Sequence, residues 1–159
     1  MKTIIGALPL VAIYCPWLKD ADGFDNVFDE VERGSYAIDK RENGLCVFAY
    51  RGDSGIRCSL HSVAEQIGIP PHQLKPFACT LWPLSLLEPP NAALSICDDA
   101  VSFPCVAKHK QKGTAISPEI LSSIEQLLGE SACRQVKNAA KKGLSRIKVR
   151  LCGPLAGES

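Results

Sequence analysis

The stretches GLCVFAYRGDSGIRCSLH (residues 44–61), KPFACTLWPL (75–84) and ALSICDDAVSFPC (93–105) contain the densest run of turn-forming residues and cysteines in the chain. The cysteines here lie beside Gly, Pro or Asp turn signals and not inside long periodic elements. A tetrahedral metal is approached by ligands from four directions, which loops can provide and one helix face cannot. The pattern therefore predicts a single metal site formed by four thiolates, those of Cys46, Cys58, Cys79 and Cys97.

The chain has eight cysteines, and disulfides or buried core thiols would also account for them. An even number is typical of a disulfide framework in a secreted protein, and free cysteines also pack as small buried apolar residues. Disulfide frameworks dominate in chains well below 159 residues, where the core is too small to hold the fold. No two cysteines form a Cys-x-x-Cys knuckle, so the local pattern is not that of a zinc finger or ribbon.

The charge balance and the hydropathy of the chain bear on whether it binds nucleic acid, protein or membrane. The 18 basic and 17 acidic residues nearly cancel, so no overall field favours nucleic acid, although a protein partner is compatible with the basic residues near the C-terminus. The apolar stretch 1–15 is shorter than the roughly 20 residues that span a bilayer, and Tyr14 occupies the position where a signal-peptidase site has a small residue. We expect a buried strand or an irregular start there, no membrane contact, and a cytoplasmic protein with reduced thiols.

Hydrophobic periodicity predicts an α+β fold, with short antiparallel strands and Pro-rich loops around the cysteine site and helices at the C-terminal end. We expect a single domain, residues 1–159, with its core at 35–110 and a helical part at 116–143. Phe24, Val27, Phe28 and Val31 recur at three- and four-residue steps, which favours a short amphipathic helix within residues 20–33.

Turn chemistry predicts the elements around the cysteines. Asn43-Gly44 favours a type I′ hairpin turn between strands at 35–39 and 45–50. A third strand at 56–60 would then place Cys46 and Cys58 on adjacent strands. A helix follows and ends at Gly68 as a left-handed cap.

Two short strands and two helices are predicted in the C-terminal half. The strands lie at 84–87 and 92–96. Ser117-Pro118-Glu119 provides an N-cap, a proline in the first turn and an acidic residue for the start of a helix. Gly129 interrupts this helix, and a second one runs to Lys142.

The order of these motifs resembles a known family. The motifs that carry the resemblance are, in order, Cys46-Val-Phe, Cys58-x-x-His61, Lys-Pro-x-x-Cys-x-Leu-x-Pro at 75–83 and Cys97-Asp-x-Ala. Residues 41–101 resemble the YkgJ-type zinc- or iron-chelating cysteine cluster domain. The likeness is greatest to a branch of unknown function that carries the Lys-Pro-x-x-Cys motif. The resemblance implies that Cys46, Cys58, Cys79 and Cys97 correspond to the C-terminal set of cysteines in that family. The N-terminal cysteine cluster of that family is represented here by Cys15 alone.

Ligand softness does not separate the two metals that this resemblance implies. Four thiolates suit tetrahedral zinc and an iron–sulfur cluster about equally. Cys105 and His61 are candidates for an additional ligand, the latter because Cys58-x-x-His61 has ligand spacing. Cys133 and Cys152 lie outside the resemblance, and we expect structural roles for both.

The sequence thus predicts a metal-binding protein that holds zinc or an iron–sulfur cluster and whose biological role is open. One alternative is a metal-dependent redox or group-transfer enzyme, which requires an open coordination position and a nearby pocket. Another is an interaction module in which the metal is structural and the basic C-terminal helices contact a partner.

Overall fold

The computed structural model describes residues 1–20, 27–33, 35–53, 55–87, 93–97, 100, 116–143 and 146–149. The chain divides into two compact units, Met1–Lys75 (unit 1) and Pro76–Ser159 (unit 2). This division falls inside the predicted core of residues 35–110, and the prediction of a single domain stays a prediction. Helices together with short antiparallel strand pairs confirm the α+β fold class.

In the residues that the structure describes, unit 1 combines three helices, a 3-10 turn and two antiparallel strand pairs. Strand β1 pairs with β2, and β3 pairs with β4. The elements are α1 (Lys2–Tyr14), α2 (Trp17–Asp20), β1 (Phe28–Glu32), β2 (Ser35–Ile38), β3 (Ala49–Gly52), β4 (Gly55–Cys58), α3 (Ser59–Ile67) and the 3-10 turn (Pro71–Gln73). Helices α1 and α3 pack against each other over one apolar core.

The N-terminal stretch is a helix, so the expectation of a strand or an irregular start is wrong. Ile4, Leu8 and Val11 are buried on one face of α1 at the three- and four-residue spacing of a helix. Pro9 lies on the exposed side of this helix. A proline inside a helix costs about 3 kcal/mol, and burial of an apolar side chain contributes about 1.5–3 kcal/mol. Several such side chains on α1 therefore outweigh the proline.

None of the described helices combines the length and the apolar composition needed to cross a membrane.

The predicted amphipathic helix within residues 20–33 is also wrong over its described part. Residues Phe28–Glu32 form β1, and Phe28 lies opposite Ile38 of β2. Val27 is buried whereas Val31 is 62% exposed, so the apolar residues do not share one buried face. A short apolar pattern of this kind does not distinguish helix from strand, and pairing with β2 decides between them. Phe24 lies outside the described residues.

The chain reverses at Asn43-Gly44, but through a different turn from the one predicted. A type I′ turn needs positive φ at both central residues, and Gly44 has φ 75° while no non-glycine residue in the described chain has positive φ. The Gly44 amide donates to the Arg41 carbonyl, and the Arg41 amide donates to the Leu45 carbonyl. This pattern is a three-residue hairpin loop with glycine at its left-handed position.

The described part of unit 2 has a three-stranded antiparallel sheet and two helices. Strand β6 lies between β5 and β7. The elements are α4 (Phe77–Leu81), β5 (Leu84–Leu87), β6 (Ala93–Ile96), α5 (Pro118–Lys141) and β7 (Arg146–Lys148). Strands β5 and β6 confirm the two predicted strands, whereas β7 was not predicted.

Helix α5 begins at the predicted N-cap and is interrupted at the predicted glycine. The Ser117 hydroxyl accepts a hydrogen bond from the Ile120 amide, as an N-cap does. At Gly129 the backbone leaves helical geometry (φ 84°, ψ 165°), so the helix is kinked at the predicted interruption. Ile124, Leu128 and Val136 on α5 are buried in the core of unit 2.

Candidate metal centre

The four predicted ligands are free cysteines in the structure. None of the six described cysteines forms a disulfide. Cys46, Cys58, Cys79 and Cys97 are all half-buried, whereas Cys15 and Cys133 are fully buried. A metal ligand must be shielded from bulk water yet able to reach the ion, and half-buried thiols meet both conditions. Cys105 and Cys152 lie outside the described residues.

Unit 1 contains two of the predicted ligands, Cys46 before β3 and Cys58 at the end of β4. Cys46 precedes β3 and forms only an isolated bridge with Lys40, so the prediction that it lies within a strand is wrong. Cys58 is the last residue of β4, opposite Ala49, and it is also the N-cap of α3. The Ala49 amide donates to the Cys46 carbonyl at 2.9 Å. The two cysteines are thus linked through a single residue, Ala49.

The surroundings of the Cys46 sulfur have opposing effects on the stability of its thiolate form. Burial raises the pKa of the Cys46 thiol, and hydrogen bonds from the backbone of Phe48 and Ala49 oppose that rise. A negative charge on Cys58 raises the pKa of Cys46 further. Metal-free Cys46 therefore holds its proton at neutral pH, and a metal must displace that proton to bind.

Cys15 is a third thiol in this part of unit 1, and the predicted ligand set omitted it. It follows α1, is 0% exposed, and lies in the apolar cluster against which Cys46 and Cys58 pack. Burial raises the pKa of Cys15, and charges on Cys58 and Cys46 raise it further. The spacing from Val11 to Cys15 is one helical turn, which was the sequence signal for its position on the buried face.

Ser59 connects Cys15 to the Cys46 turn. Its hydroxyl donates to the Phe48 carbonyl at 2.9 Å, and its amide donates to the same oxygen at 2.8 Å. A hydrogen bond with Ser59 lowers the pKa of Cys15, against the effect of burial. The Ser59 side chain is fully buried, so these bonds satisfy a polar group that would otherwise destabilise the core.

His61 makes a contact that was not predicted. Its Nε2 lies 3.3 Å from Glu65 Oε1 on the same helix, and Glu65 also pairs with Arg57 at 3.4 Å. The side chains of His61 and Glu65 are about half exposed, so this group lies on the surface of α3. The structure thus places the candidate additional ligand in a surface ion-pair group.

Unit 2 contributes Cys79 and Cys97. Cys79 lies in α4, two residues before its end, and Cys97 follows directly after β6. The Cys97 amide donates to the Pro83 carbonyl at 2.9 Å, and Leu84 lies opposite Ile96. Both cysteines therefore belong to segments that meet at one end of the β5–β6 pair.

The remaining described cysteine of unit 2, Cys133, lies in the apolar core. Cys133 is buried in the core around α5, and its thiol donates to the Leu121 carbonyl at 3.6 Å. Free cysteines commonly pack in this way.

Within the described part of the chain, no group of three or more His, Cys, Asp or Glu side chains has an arrangement that could hold a metal ion. The predicted site of Cys46, Cys58, Cys79 and Cys97 therefore stays a prediction. In unit 1, Cys46 and Cys58 lie close enough for a charge on Cys58 to affect the pKa of Cys46.

A cation lies close to the buried thiol of Cys15. Arg41 favours the thiolate form of Cys15 by its positive charge and thereby lowers the pKa of that thiol. The Nε atom of Arg41 is buried and has no hydrogen-bond partner among the described residues.

Comparison of the chain with protein-family models, with curated proteins and with solved structures finds no match.

Proposed function

We propose that this protein binds zinc or an iron–sulfur cluster through the thiolates of Cys46, Cys58, Cys79 and Cys97. The observation that carries the proposal is that all four are free of disulfides and half-buried. Backbone donors from Phe48 and Ala49 support it, because they favour negative charge on the Cys46 sulfur.

The proposal includes a family and a compartment. The motifs at 41–101 support membership of the YkgJ-type chelating domains. We also propose a cytoplasmic location, where disulfides are rare, since the six described cysteines form none. If bound, zinc would supply folding free energy to a loop-rich segment, whereas an iron–sulfur cluster would supply electron-transfer chemistry.

Anaerobic purification followed by elemental analysis and visible spectroscopy tests the proposal. Zinc in a one-to-one ratio with the protein, or iron and sulfide with the broad visible absorption of thiolate-bound iron, is the expected result. Each single Cys→Ser substitution at the four positions should lower the metal content strongly. Cys133→Ala is the matched control and should retain the metal, since that thiol lies in a core and bonds to Leu121.

Two outcomes would refute the four-ligand proposal. One is a protein that binds neither metal when reconstituted under reducing conditions. The other is full metal content in the Cys79→Ser and Cys97→Ser variants, which would limit any site to unit 1.

A further inference from the structure

The C-terminal part of α5 carries positive side chains along one exposed face. Arg134, Lys137 and Lys141, here called the basic stripe, are all exposed and follow one another at three- and four-residue steps. Residues with this spacing are neighbours on the surface of a helix. The opposite face of the same segment is buried and consists of Ala132, Cys133, Val136 and Ala139. The stripe therefore points away from the core of the described part of unit 2.

The described side chains around the stripe neutralise little of its charge. Lys137 and Lys141 belong to none of the ion pairs in the described chain. Arg134 Nε lies 3.9 Å from Glu130 Oε1, and the two side chains are 69% and 73% exposed, so water screens this pair. The sequence has no Asp or Glu between residues 131 and 143. The stripe is thus a local concentration of positive charge in a chain whose net charge is only +1.

Helix stability accounts for only the last residue of the stripe. Cations in the last turn of a helix compensate its dipole, and this effect falls off within that turn. Lys141 is the last residue of α5, whereas Lys137 lies one turn earlier and Arg134 two turns earlier. Lys137 and Lys141 are four residues apart, and like charges at that spacing destabilise a helix. The two earlier cations therefore indicate a use outside the fold.

The composition of the stripe favours a phosphate backbone over a protein as its partner. Protein interfaces are depleted of lysine and enriched in aromatic residues. None of the large apolar side chains exposed in the described chain lies between residues 130 and 142. Contacts to nucleic-acid phosphates, in contrast, come from lysine, arginine and amide side chains. Asn138 supplies such an amide, since it is exposed between Lys137 and Lys141.

The spacing of the positive charges matches the spacing of phosphates on duplex DNA. A helix rises about 1.5 Å per residue, so Arg134 and Lys141 are about 10 Å apart along the axis. One strand of B-DNA carries a phosphate about every 3.4 Å, which places about three phosphates over that length. We propose that the basic stripe binds the phosphate backbone of double-stranded DNA irrespective of its sequence. This inference is independent of the proposed metal site.

Fluorescence anisotropy of a short labelled DNA duplex, titrated with the reduced full chain, tests the proposal. Three phosphate contacts give a slope of about −2.7 for the logarithm of the binding constant against the logarithm of salt concentration. The affinity should therefore fall about 40-fold between about 50 and 200 mM salt. Duplexes of unrelated sequence should bind within about twofold of each other, because phosphate contacts carry no sequence information.

Two double variants separate the stripe from overall charge. Lys137→Gln/Lys141→Gln leaves one cation of the stripe, so the slope should fall to about −0.9 and binding at low salt should weaken at least about 10-fold. Lys2→Gln/Lys19→Gln is the matched control, because it removes the same two positive charges from exposed positions of unit 1. This control should bind DNA within about twofold of the wild type, with an unchanged slope.

Urea unfolding separates loss of DNA contacts from loss of structure. Lys137→Gln/Lys141→Gln removes a repulsive pair from an exposed face, so the variant should be at least as stable as the wild type. A less stable variant would contradict the placement of both lysines on that face, and the proposal with it.

Several results would overturn the proposal. One is a wild-type protein that does not bind the duplex at about 50 mM salt, where three phosphate contacts are little screened. Another is an equal loss of affinity in the two double variants, since overall charge would then account for binding. Tighter binding of an RNA duplex or of polyglutamate than of the DNA duplex would assign the stripe to a different partner. Metal content is measured separately, so each of these results leaves the proposed metal site unaffected.

Discussion

The cysteines differ in how much each thiol is removed from water, and the backbone element that carries a cysteine does not decide this alone. Cys133 on α5 and Cys15, directly after α1, are enclosed by apolar side chains, whereas Cys79 in α4 is half-buried. Cys46 and Cys97 lie in connections and Cys58 at the junction of β4 and α3, where the backbone leaves one side of the thiol partly open. The spacing of cysteines in the sequence does not report this difference, because burial depends on contacts with distant residues.

Burial of Cys15 predicts a loss of stability in alkali. Burial raises the pKa of Cys15, and the charges on Cys58 and Cys46 raise it further. The unfolded chain therefore loses this thiol proton at a lower pH than the folded protein does. The resulting contribution to the free energy of unfolding is complete below the unfolded thiol pKa, roughly 8.5, and is lost as the pH rises through the folded pKa.

Urea unfolding of the reduced, metal-free protein between about pH 7 and 10 measures this loss. Cys15→Ala should give a shallower fall in the free energy of unfolding with pH than the wild type. Cys15→Val fills the position with an apolar side chain and should give the same shallow fall at a different absolute free energy. Parallel curves for the wild type and both variants would contradict the assignment.

Among the elements, the helix caps and the kink that depend on one or two residues were predictable, whereas β1, which pairing defines, and α1, which burial stabilises, were not. The N-cap at Ser117, the kink at Gly129 and the cap at Gly68 depend on one or two residues, and the structure has each of them. Strand β1 was mistaken for a helix because its partner, β2, is what makes residues 28–32 extended. Helix α1 was missed because Pro9 disfavours a helix locally, and only burial against α3 reverses that preference.

Two glycines test this distinction between local and tertiary effects. Gly68 caps α3 with φ 73°, and a Cβ at this position or at Gly6 of α1 would meet nothing within 4 Å. Gly68→Ala should therefore lower the free energy of unfolding by about 1–2 kcal/mol through backbone strain alone. Gly6→Ala is the matched control and should raise it by up to about 1 kcal/mol, since alanine favours a helix. Urea unfolding of both variants checks the signs, and a stabilising Gly68→Ala would contradict the left-handed cap.

At the scale of the whole molecule, the sequence indicates where each predicted ligand lies along the chain more readily than whether all four converge on one site. Cys46 and Cys58 are brought together by β3–β4 and the turn before it. Cys79 lies in α4, and Cys97 follows β6 and is bonded through its amide to Pro83, the residue before β5. A four-ligand site also requires the pairs from unit 1 and unit 2 to converge, and convergence depends on long-range packing that residue spacing does not encode.

If all four thiolates bind one metal, the metal must couple the unfolding of the two units. The chain has two tryptophans, Trp17 in unit 1 and Trp82 in unit 2. In a Trp82→Phe variant, fluorescence therefore reports on unit 1, and amide hydrogen exchange of α5 reports on unit 2. A ligand present at 100 times its Kd stabilises the folded state by about 2.7 kcal/mol. Zinc should therefore raise the urea midpoints of both reporters, and the two midpoints should coincide, because the units then unfold together.

The double variant Cys79→Ser/Cys97→Ser is the control for this coupling. It retains Cys46 and Cys58 but removes the ligands of unit 2, so zinc should no longer shift the hydrogen-exchange midpoint of α5. A zinc effect confined to Trp17 in the chain with all four thiols would mean that the metal binds within unit 1, where Cys15 lies in the same cluster as Cys46 and Cys58. Coincident midpoints would instead require ligands from both units, because neither pair alone fills a tetrahedral coordination shell with sulfur.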